Sequence, residues 1–232
     1  MHNIVDNLAR VRASVKQCTL RSGRPTDAVT ILAVSKTKPA AMLRAAFDAG
    51  QRDFGENYLQ EALQKQDSLS DLAATWHFIG AIQSNKTRDI AEHFAWVHTV
   101  ERLKIAERLN KQRPSGMPPL NICIQINISD EASKAGCKPE DTFSLVEACS
   151  KLPNISVRGL MTLPKKEDSS RAFKQLRQLK DQVNAKLDMT MDTLSMGMSA
   201  DMEDAIEEGA TIVRIGTALF GPRFAAGSIS RT

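Results

Sequence analysis

The sequence predicts an α/β protein: a single-domain (β/α)8 TIM barrel with an extra helix before the first strand. Three observations lead to this prediction. The short β-rich runs are almost wholly apolar, as in parallel strands that are covered on both faces. These β-rich runs alternate with stretches whose apolar residues have helical spacing. The number of β-rich runs is eight, as in a (β/α)8 barrel. A doubly wound open sheet has the same local pattern and stays as the alternative.

The predicted strands follow one another at short intervals along the chain. They cover residues 29–35, 52–55, 76–80, 94–100, 121–128, 156–162, 193–198 and 211–216. Before the first strand, an apolar stripe marks the extra helix, formed by Ile4, Leu8, Val11 and Val15. We therefore assign residues 1–224 to the barrel domain and residues 225–232, AAGSISRT, to a mobile C-terminal tail.

The stretches between the strands have apolar residues at helical spacing. Four such stripes are formed by Leu43, Ala46 and Phe47, by Leu145, Ala148, Cys149 and Leu152, by Leu176, Leu179, Val183 and Leu187, and by Met202, Ala205, Ile206 and Gly209. Gly50 and Gly209 fall where helices are expected to end, and Pro39 suits a first helical turn.

Composition and charge argue against several classes of function. The 31 basic and 27 acidic side chains are interspersed and leave a net charge of +4, which indicates ordinary solubility rather than nucleic-acid binding. The four cysteines form no CxxC pair, and the four histidines lack the spacing of a metal site. The chain has no signal-peptide pattern and no apolar run that approaches the length of a membrane span. We expect a cytoplasmic, metal-free protein without a nucleic-acid or membrane partner.

Polar residues gather at the carboxyl ends of the predicted strands, where a barrel of this type carries its chemistry. The strand ends are followed by Lys36, Glu56, Asn57, Gln83, Ser84, Asn85, Lys86, Glu101, Asn127, Thr162, Ser199, Gly216 and Thr217. The last two loops are the usual phosphate site of the fold, so Ser199 and Gly216-Thr217 are candidate anion ligands. A plain helix N-cap is the alternative for Ser199, and tight packing is the alternative for Gly216.

Two cations near these strand ends, Lys36 and Arg214, have competing interpretations. Lys36 follows an apolar strand, where an amine either reaches water along the surface or is held for covalent chemistry. Arg214 lies inside the apolar run TIVRIG and shares a strand face with Gly216, which points it toward the site. A buried guanidinium needs partners, and a surface position is the alternative. We expect His77, in the third strand, to be a satisfied core histidine.

Six motifs match a known family in combination. LAVSKTKP, FGENYLQEA, WHFIGAIQSNK, INISDEASKAG, RGLMTLP and LSMGMSADMEDAIEEGATIVRIGTALFG resemble the pyridoxal phosphate homeostasis proteins, single-domain relatives of the N-terminal barrel of alanine racemase. The resemblance runs from the first helix to Gly221. It implies that Lys36 forms an internal aldimine with pyridoxal 5′-phosphate and that Ser199, Gly216 and Thr217 hold the phosphate.

The resemblance also implies roles around the cofactor ring. Arg214 would face the pyridine nitrogen, where a cation disfavours protonation and makes the ring a weaker electron sink. Asn57 and Met161 would line the ring. Further lysines are candidates for secondary cofactor or regulatory contacts, namely Lys38, Lys86 and Lys134.

The resemblance favours a carrier over an enzyme. A carrier would hold the cofactor as the lysine aldimine, take part in vitamin B6 homeostasis and need no catalytic residue. Apo forms of dependent enzymes are its candidate recipients, and the lack of a second domain favours a monomer.

Two other functions would use the same lysine. A two-base racemase needs a group on each face of the external aldimine, and the sole tyrosine, Tyr58, is a candidate second base for slow chemistry on amino acids. A cofactor-free Schiff-base aldolase would use Lys36 and the phosphate site, but it gives no reason for Arg214. The racemase-like enzyme is the alternative that we retain.

Overall fold

Eight parallel strands close into a barrel in which each strand pairs with the next and the last pairs with the first. The computed structural model describes residues 3–128 and 135–222, so Lys134 and the predicted tail lie outside the described residues. The strands are β1 (Thr30–Val34), β2 (Asp53–Glu56), β3 (Thr75–Phe78), β4 (Trp96–Val100), β5 (Leu120–Gln125), β6 (Ile155–Met161), β7 (Thr193–Met198) and β8 (Ile212–Ile215). The barrel prediction is confirmed, and the open sheet was the wrong alternative.

Helices surround the barrel and connect successive strands. They are α1 (Ile4–Arg21), α2 (Ala40–Asp48), α3 (Leu59–Ser68), α4 (Thr87–His93), α5 (Leu103–Gln112), α6 (Thr142–Ser150), α7 (Ser169–Leu187), α8 (Met202–Glu207) and α9 (Thr217–Phe220). The extra helix α1 packs against α2, α8 and α9 through its predicted apolar stripe. It therefore covers the seam where β8 meets β1.

Several predicted strands are longer than the observed ones, and the difference at the carboxyl end is greatest in β3 and β5. The runs 76–80 and 121–128 continue beyond the last residues of these strands, which are Phe78 and Gln125. The chain is still buried there, and Ile126 forms only an isolated bridge with Cys137. Apolar sequence marks burial rather than strand pairing, so it continues into the first residues of the rim loops.

The core has an outer and an inner layer. The outer layer lies between strands and helices and includes Ala33 and Val213. Their neighbours in sequence, Leu32 and Ile212, form with Ile79 a separate cluster, which the alternation of strand side chains places inside the barrel. The barrel also buries polar side chains, among them His77, His98, Ser195 and Arg214.

The four cysteines are free thiols and are buried. Burial raises the pKa of the Cys123 thiol to about 12, so this thiol stays protonated at neutral pH. Within residues 3–128 and 135–222, no histidine, cysteine, aspartate or glutamate side chains gather into a group of metal ligands. No helix in the same ranges combines the length and the apolar content needed to cross a membrane.

Candidate functional site

One cavity at the carboxyl ends of the strands brings together all seven residues that the sequence analysis proposed as ligands. Its volume is about 320 Å³, within the range of small-molecule pockets. Its wall includes Lys36, Asn57, Met161, Ser199, Arg214, Gly216 and Thr217. Apolar side chains complete it, among them Val34, Ile79 and Leu163. Residues from both ends of the barrel sequence, such as Val34 and Thr217, thus meet at one place.

Lys36 lies in a tight turn directly after β1. The backbone N–H of Ser35 donates to the carbonyl of Gly55 at 3.0 Å, and that of Lys38 donates to the carbonyl of Ser35 at 3.0 Å. Between them, Thr37 has a φ of 62°. A β-branched residue rarely adopts this left-handed conformation, which costs about 1–2 kcal/mol. The turn that carries the amine is therefore strained and must be held by its surroundings.

A buried charged cluster holds this turn from both sides of Lys36. The Lys65 ammonium donates to Oε1 of Glu56 at 2.7 Å, to Oε1 of Glu61 at 2.6 Å and to the Ser35 carbonyl at 2.7 Å. The Ser35 hydroxyl donates to Oε1 of Glu56 at 2.6 Å, and the Thr37 N–H donates to Oε1 of Glu61 at 2.6 Å. Burial raises the pKa of Glu56, and the neighbouring Lys65 opposes that shift.

Glu56 is one of the polar residues predicted at the strand ends, whereas Lys65 and Glu61 were not predicted. A signal for them exists. Glu61 and Lys65 have the i, i+4 spacing of a helical ion pair, and the helix that carries them, α3, begins three residues after Glu56.

The three lysines proposed for secondary contacts lie in different places. Lys38 is buried, and its ammonium donates to the carbonyls of Gly221 at 3.0 Å and Pro222 at 2.6 Å. Desolvation lowers the pKa of Lys38. Lys86 lines a neighbouring cavity of about 390 Å³ together with Asn57 and Tyr58. Lys134 belongs to the part of the chain that is not described.

Arg214 reaches the cavity from inside the barrel and is 4% exposed. It lies on the same strand face as Gly216, as the alternation predicts, so the surface alternative is wrong. Its Nη1 donates to the carbonyl and hydroxyl oxygens of Ser195 at 2.7 and 3.0 Å, and its Nη2 donates to the Thr162 carbonyl at 3.0 Å. Burial lowers the pKa of Arg214 to about 10, which leaves the guanidinium charged at neutral pH.

Ser199 lies in the exposed turn between β7 and α8. The alternative that it is a plain helix N-cap is wrong, since α8 begins at Met202 and the N-cap position is occupied by Asp201. Asp201 Oδ1 instead accepts from the Met198 N–H at 2.6 Å. Glu203, the other acid of this segment, pairs with Arg21 at 3.0 Å. Both carboxylates therefore have hydrogen-bond donors of their own, and Ser199 lines the cavity, where its hydroxyl can contact a ligand.

Two details indicate room and polarity for a ligand. A Cβ built on Gly216 would lie 3.5 Å from the Val34 carbonyl oxygen, an ordinary contact. Packing therefore tolerates a side chain there, so tight packing does not explain the glycine, which leaves the space to the cavity. The buried Oδ1 of Asn57 has no hydrogen-bond partner within residues 3–128 and 135–222. Such atoms are costly unless a ligand or water satisfies them.

His77 is a satisfied core histidine, as expected. It is 1% exposed, and its two ring nitrogens contact Asp53 Oδ1 at 3.1 Å and His98 Nε2 at 3.0 Å.

Comparisons with known proteins identify close relatives. The family model described as alanine racemase, N-terminal domain, matches residues 6–223. The pyridoxal phosphate homeostasis protein of Pseudomonas aeruginosa is 58% identical over 227 residues, which are 96% of this chain and 97% of that protein. The protein of the same name from Escherichia coli is 50% identical over 229 residues, which are 96% of this chain and 98% of that protein.

Solved structures of similar fold include one protein with substantial sequence identity and one with little. PipY of Synechococcus elongatus, determined with pyridoxal phosphate bound, is 38% identical with a TM-score of 0.81, and the match covers 94% of this chain and 100% of that one. An alanine racemase of Clostridium difficile has a TM-score of 0.77 at 14% identity, covering 97% of this chain and 58% of that one. This second likeness concerns the fold alone.

Proposed function

The chain belongs to the alanine racemase N-terminal domain family, and from this membership we propose that it is a pyridoxal 5′-phosphate carrier. It would bind the cofactor covalently through Lys36, take part in intracellular homeostasis of vitamin B6 and have no dedicated catalytic activity. One observation carries the proposal. The seven residues proposed as ligands from the sequence line a single cavity of about 320 Å³.

The cavity residues fit the chemical groups of this cofactor. When bound, pyridoxal phosphate supplies an aldehyde that condenses with a primary amine, and Lys36 brings the amine. The hydroxyls of Ser199 and Thr217, with the backbone N–H groups at the start of α9, would hold the phosphate. Gly216 leaves space beside them, and the unsatisfied Asn57 Oδ1 would accept a hydrogen bond from the cofactor or from a water.

Arg214 fits a site that holds the ring of this cofactor. Its guanidinium stays charged and would lie near the pyridine nitrogen, where a cation disfavours protonation of the ring. An unprotonated ring withdraws electrons less strongly, which slows reactions that need a carbanion on the amino acid.

The small number of bases in the cavity favours a carrier over a racemase. Among the described residues that line it, Lys36 and Arg214 are the ionisable ones. Tyr58 is 57% exposed and lines the neighbouring cavity instead. Racemisation needs a proton donor opposite the lysine, and no described side chain of the cavity wall supplies one.

The proposal extends to the state and location of the protein. We propose a monomeric protein of the cytoplasm, and four free thiols suit that reducing compartment. Apo forms of pyridoxal-phosphate-dependent enzymes are the proposed recipients.

Reductive trapping tests the carrier. The protein is incubated with pyridoxal phosphate, reduced with borohydride, digested and analysed by peptide mass spectrometry. We expect a pyridoxyl-phosphate adduct on the peptide that contains Lys36, and no adduct at that site in Lys36→Ala. The matched control is Lys86→Ala, which removes an amine from the neighbouring cavity and should keep the adduct. Absence of any adduct in the wild-type protein contradicts the proposal.

A slow racemase-like enzyme is the second candidate, because Tyr58 and the cofactor cavity border the same residue, Asn57. Purified protein loaded with cofactor is incubated with L-alanine, and the D-isomer is measured by chiral chromatography. Substantial racemisation that disappears in both Lys36→Ala and Tyr58→Phe would favour the enzyme over the carrier.

A further inference from the structure

A continuous chain of hydrogen bonds crosses the barrel interior and ends at Arg214. The Arg214 Nη1 donates to the Ser195 hydroxyl oxygen at 3.0 Å, and this hydroxyl lies 2.8 Å from His98 Nδ1. His98 Nε2 lies 3.0 Å from His77 Nδ1, and His77 Nε2 lies 3.1 Å from Asp53 Oδ1. The two histidines and the serine are at most 1% exposed.

The terminal carboxylate determines the direction of every bond in this chain. Asp53 accepts, so the His77 Nε2–H must donate to it, and the neutral His77 ring then accepts at Nδ1. By the same logic, the His98 Nε2–H donates to His77, and the Ser195 hydroxyl donates to His98. The hydroxyl oxygen keeps its lone pairs for the Arg214 N–H. A single arrangement of protons therefore satisfies all five groups.

Burial and stacking keep this arrangement in place. Desolvation lowers the pKa of His77 and holds that of His98 well below its ordinary value, so both rings are neutral at neutral pH. The Trp96 ring stacks on His77 at 5.5 Å between centroids with an interplanar angle of 7°. The imidazole planes are thus fixed as well as their protons.

The chain connects opposite ends of the barrel. Arg214 lines the proposed cofactor cavity, whereas Asp53 begins β2 and lines a cavity of about 410 Å³ at the amino ends of the strands. The side chain of Asp53 is 28% exposed. Within the described part of the chain, Nη1 of Arg214 donates twice to protein oxygens and Nη2 donates once. A guanidinium has five N–H groups, so Arg214 keeps donors for a ligand in the cavity that it lines.

We propose that Asp53, His77, His98 and Ser195 are positioning residues for Arg214. The Asp53 carboxylate orients the histidine tautomers, and these orient the Ser195 hydroxyl that holds the guanidinium at the cavity wall. The orientation of Arg214 then sets the polarity around the bound cofactor ring. The last step rests on the proposed function, whereas the chain itself does not.

Nuclear magnetic resonance of the ligand-free protein tests the chain first. Long-range ¹⁵N–¹H spectra should show His77 and His98 as neutral Nε2–H tautomers. Asp53→Asn should introduce an Nδ1–H population at His77 and shift the guanidinium signals of Arg214. Asp67→Asn removes the same charge from an exposed site on α3 and should change neither. Unmoved Arg214 signals in Asp53→Asn, or Nδ1–H tautomers in the wild-type protein, overturn the proposal.

The consequence for the cofactor is tested on the loaded protein. Asp53→Asn and Ser195→Ala should shift the absorption maximum of bound pyridoxal phosphate in the same direction. Each should also weaken binding about twofold to tenfold, as expected for one hydrogen bond. Unchanged spectra in both variants contradict this step. If the wild-type protein binds no pyridoxal phosphate, the proposed function fails, and the resonance experiment still decides the positioning chain.

Discussion

The two sides of the cavity are held by different kinds of interaction. On the Lys36 side, the buried cluster of Glu56, Glu61 and Lys65 carries formal charges and braces a strained turn. On the Arg214 side, the hydrogen-bond partners of the guanidinium in the described part of the chain are the neutral oxygens of Ser195 and Thr162, and the Ser195 hydroxyl in turn contacts a pair of neutral histidines. The turn that carries Lys36 thus depends on ion pairs, whereas the Arg214 guanidinium depends on dipoles.

This difference predicts how each side fails. A buried ion pair is damaged most when one partner is removed, because the other charge stays buried without compensation. A chain of neutral histidines is damaged by protons, because charging a buried imidazole breaks the bond that it accepts. Removal of one charged partner should therefore destabilise the Lys36 side most, and a drop in pH should destabilise the Arg214 side most.

The largest effect is expected for Lys65→Met, which breaks the charged cluster. It should lower the free energy of unfolding by about 3–5 kcal/mol, because Glu56 is left buried and unpaired. Urea denaturation followed by circular dichroism measures the loss. Lys151→Met, which removes an exposed ion pair with Glu147, should cost less than about 1 kcal/mol.

A double variant sharpens this prediction. Glu56→Gln combined with Lys65→Met leaves no formal charge on this pair and should recover part of the stability lost in Lys65→Met. A double variant less stable than the wild-type protein by the full sum of the two single losses would contradict the ion-pair explanation.

An intermediate effect is expected from acid acting on the histidine chain. The pKa values of His77 and His98 are lowered by burial, so stability is full above the unfolded value of 6.5 and falls as the pH drops below it. The loss between pH 7.5 and 5.5 should reach up to about 2.7 kcal/mol for two histidines. Urea denaturation across this range measures it.

Variants isolate the histidine contribution. Glu56, whose pKa is raised by burial, contributes a slope of the opposite sign, so the comparison must be made between variants. His98→Asn should reduce the loss between pH 7.5 and 5.5, whereas His93→Gln, at an exposed site on α4, should not. Equal losses in the wild-type protein and in His98→Asn would show that the buried ring does not titrate as expected.

The smallest effect is expected for Thr37→Gly on the Lys36 side. Glycine adopts the observed φ of 62° without the steric cost of a β-branched residue, although it loses more entropy on folding. The net gain should be about 0.5–1 kcal/mol in unfolding free energy. Thermal denaturation measures it, with Thr26→Gly as an exposed control that should be neutral or destabilising. A destabilised Thr37→Gly would show that the threonine is not strained.

The sequence was sufficient for the barrel and for the cavity residues for one physical reason. Parallel strands end at a common edge, so residues that follow them must meet, whatever their separation along the chain. Apolar patterning located all eight strands, with most boundaries shifted by one to three residues.

The supporting contacts could not be predicted in the same way. The pairing of Lys65 with Glu56, or of His98 with His77 and Ser195, depends on rotamers and on the barrel stagger, which strand patterns do not encode. The start of α8 was misplaced because Ser199 and Asp201 are both favourable N-cap types, and only the latter immediately precedes the helix.

The Lys38 contacts join early and late parts of the chain across 183 and 184 residues. During synthesis, β1 and the Lys36 turn leave the ribosome long before Gly221 and Pro222 exist. Until β8 arrives, the edge of β1 that β8 will cover is an open template for mispairing. The turn that carries Lys36 is therefore synthesised early but completed last. Closure of the barrel needs contacts between distant parts of the chain, and it should limit the rate at which newly made chains fold.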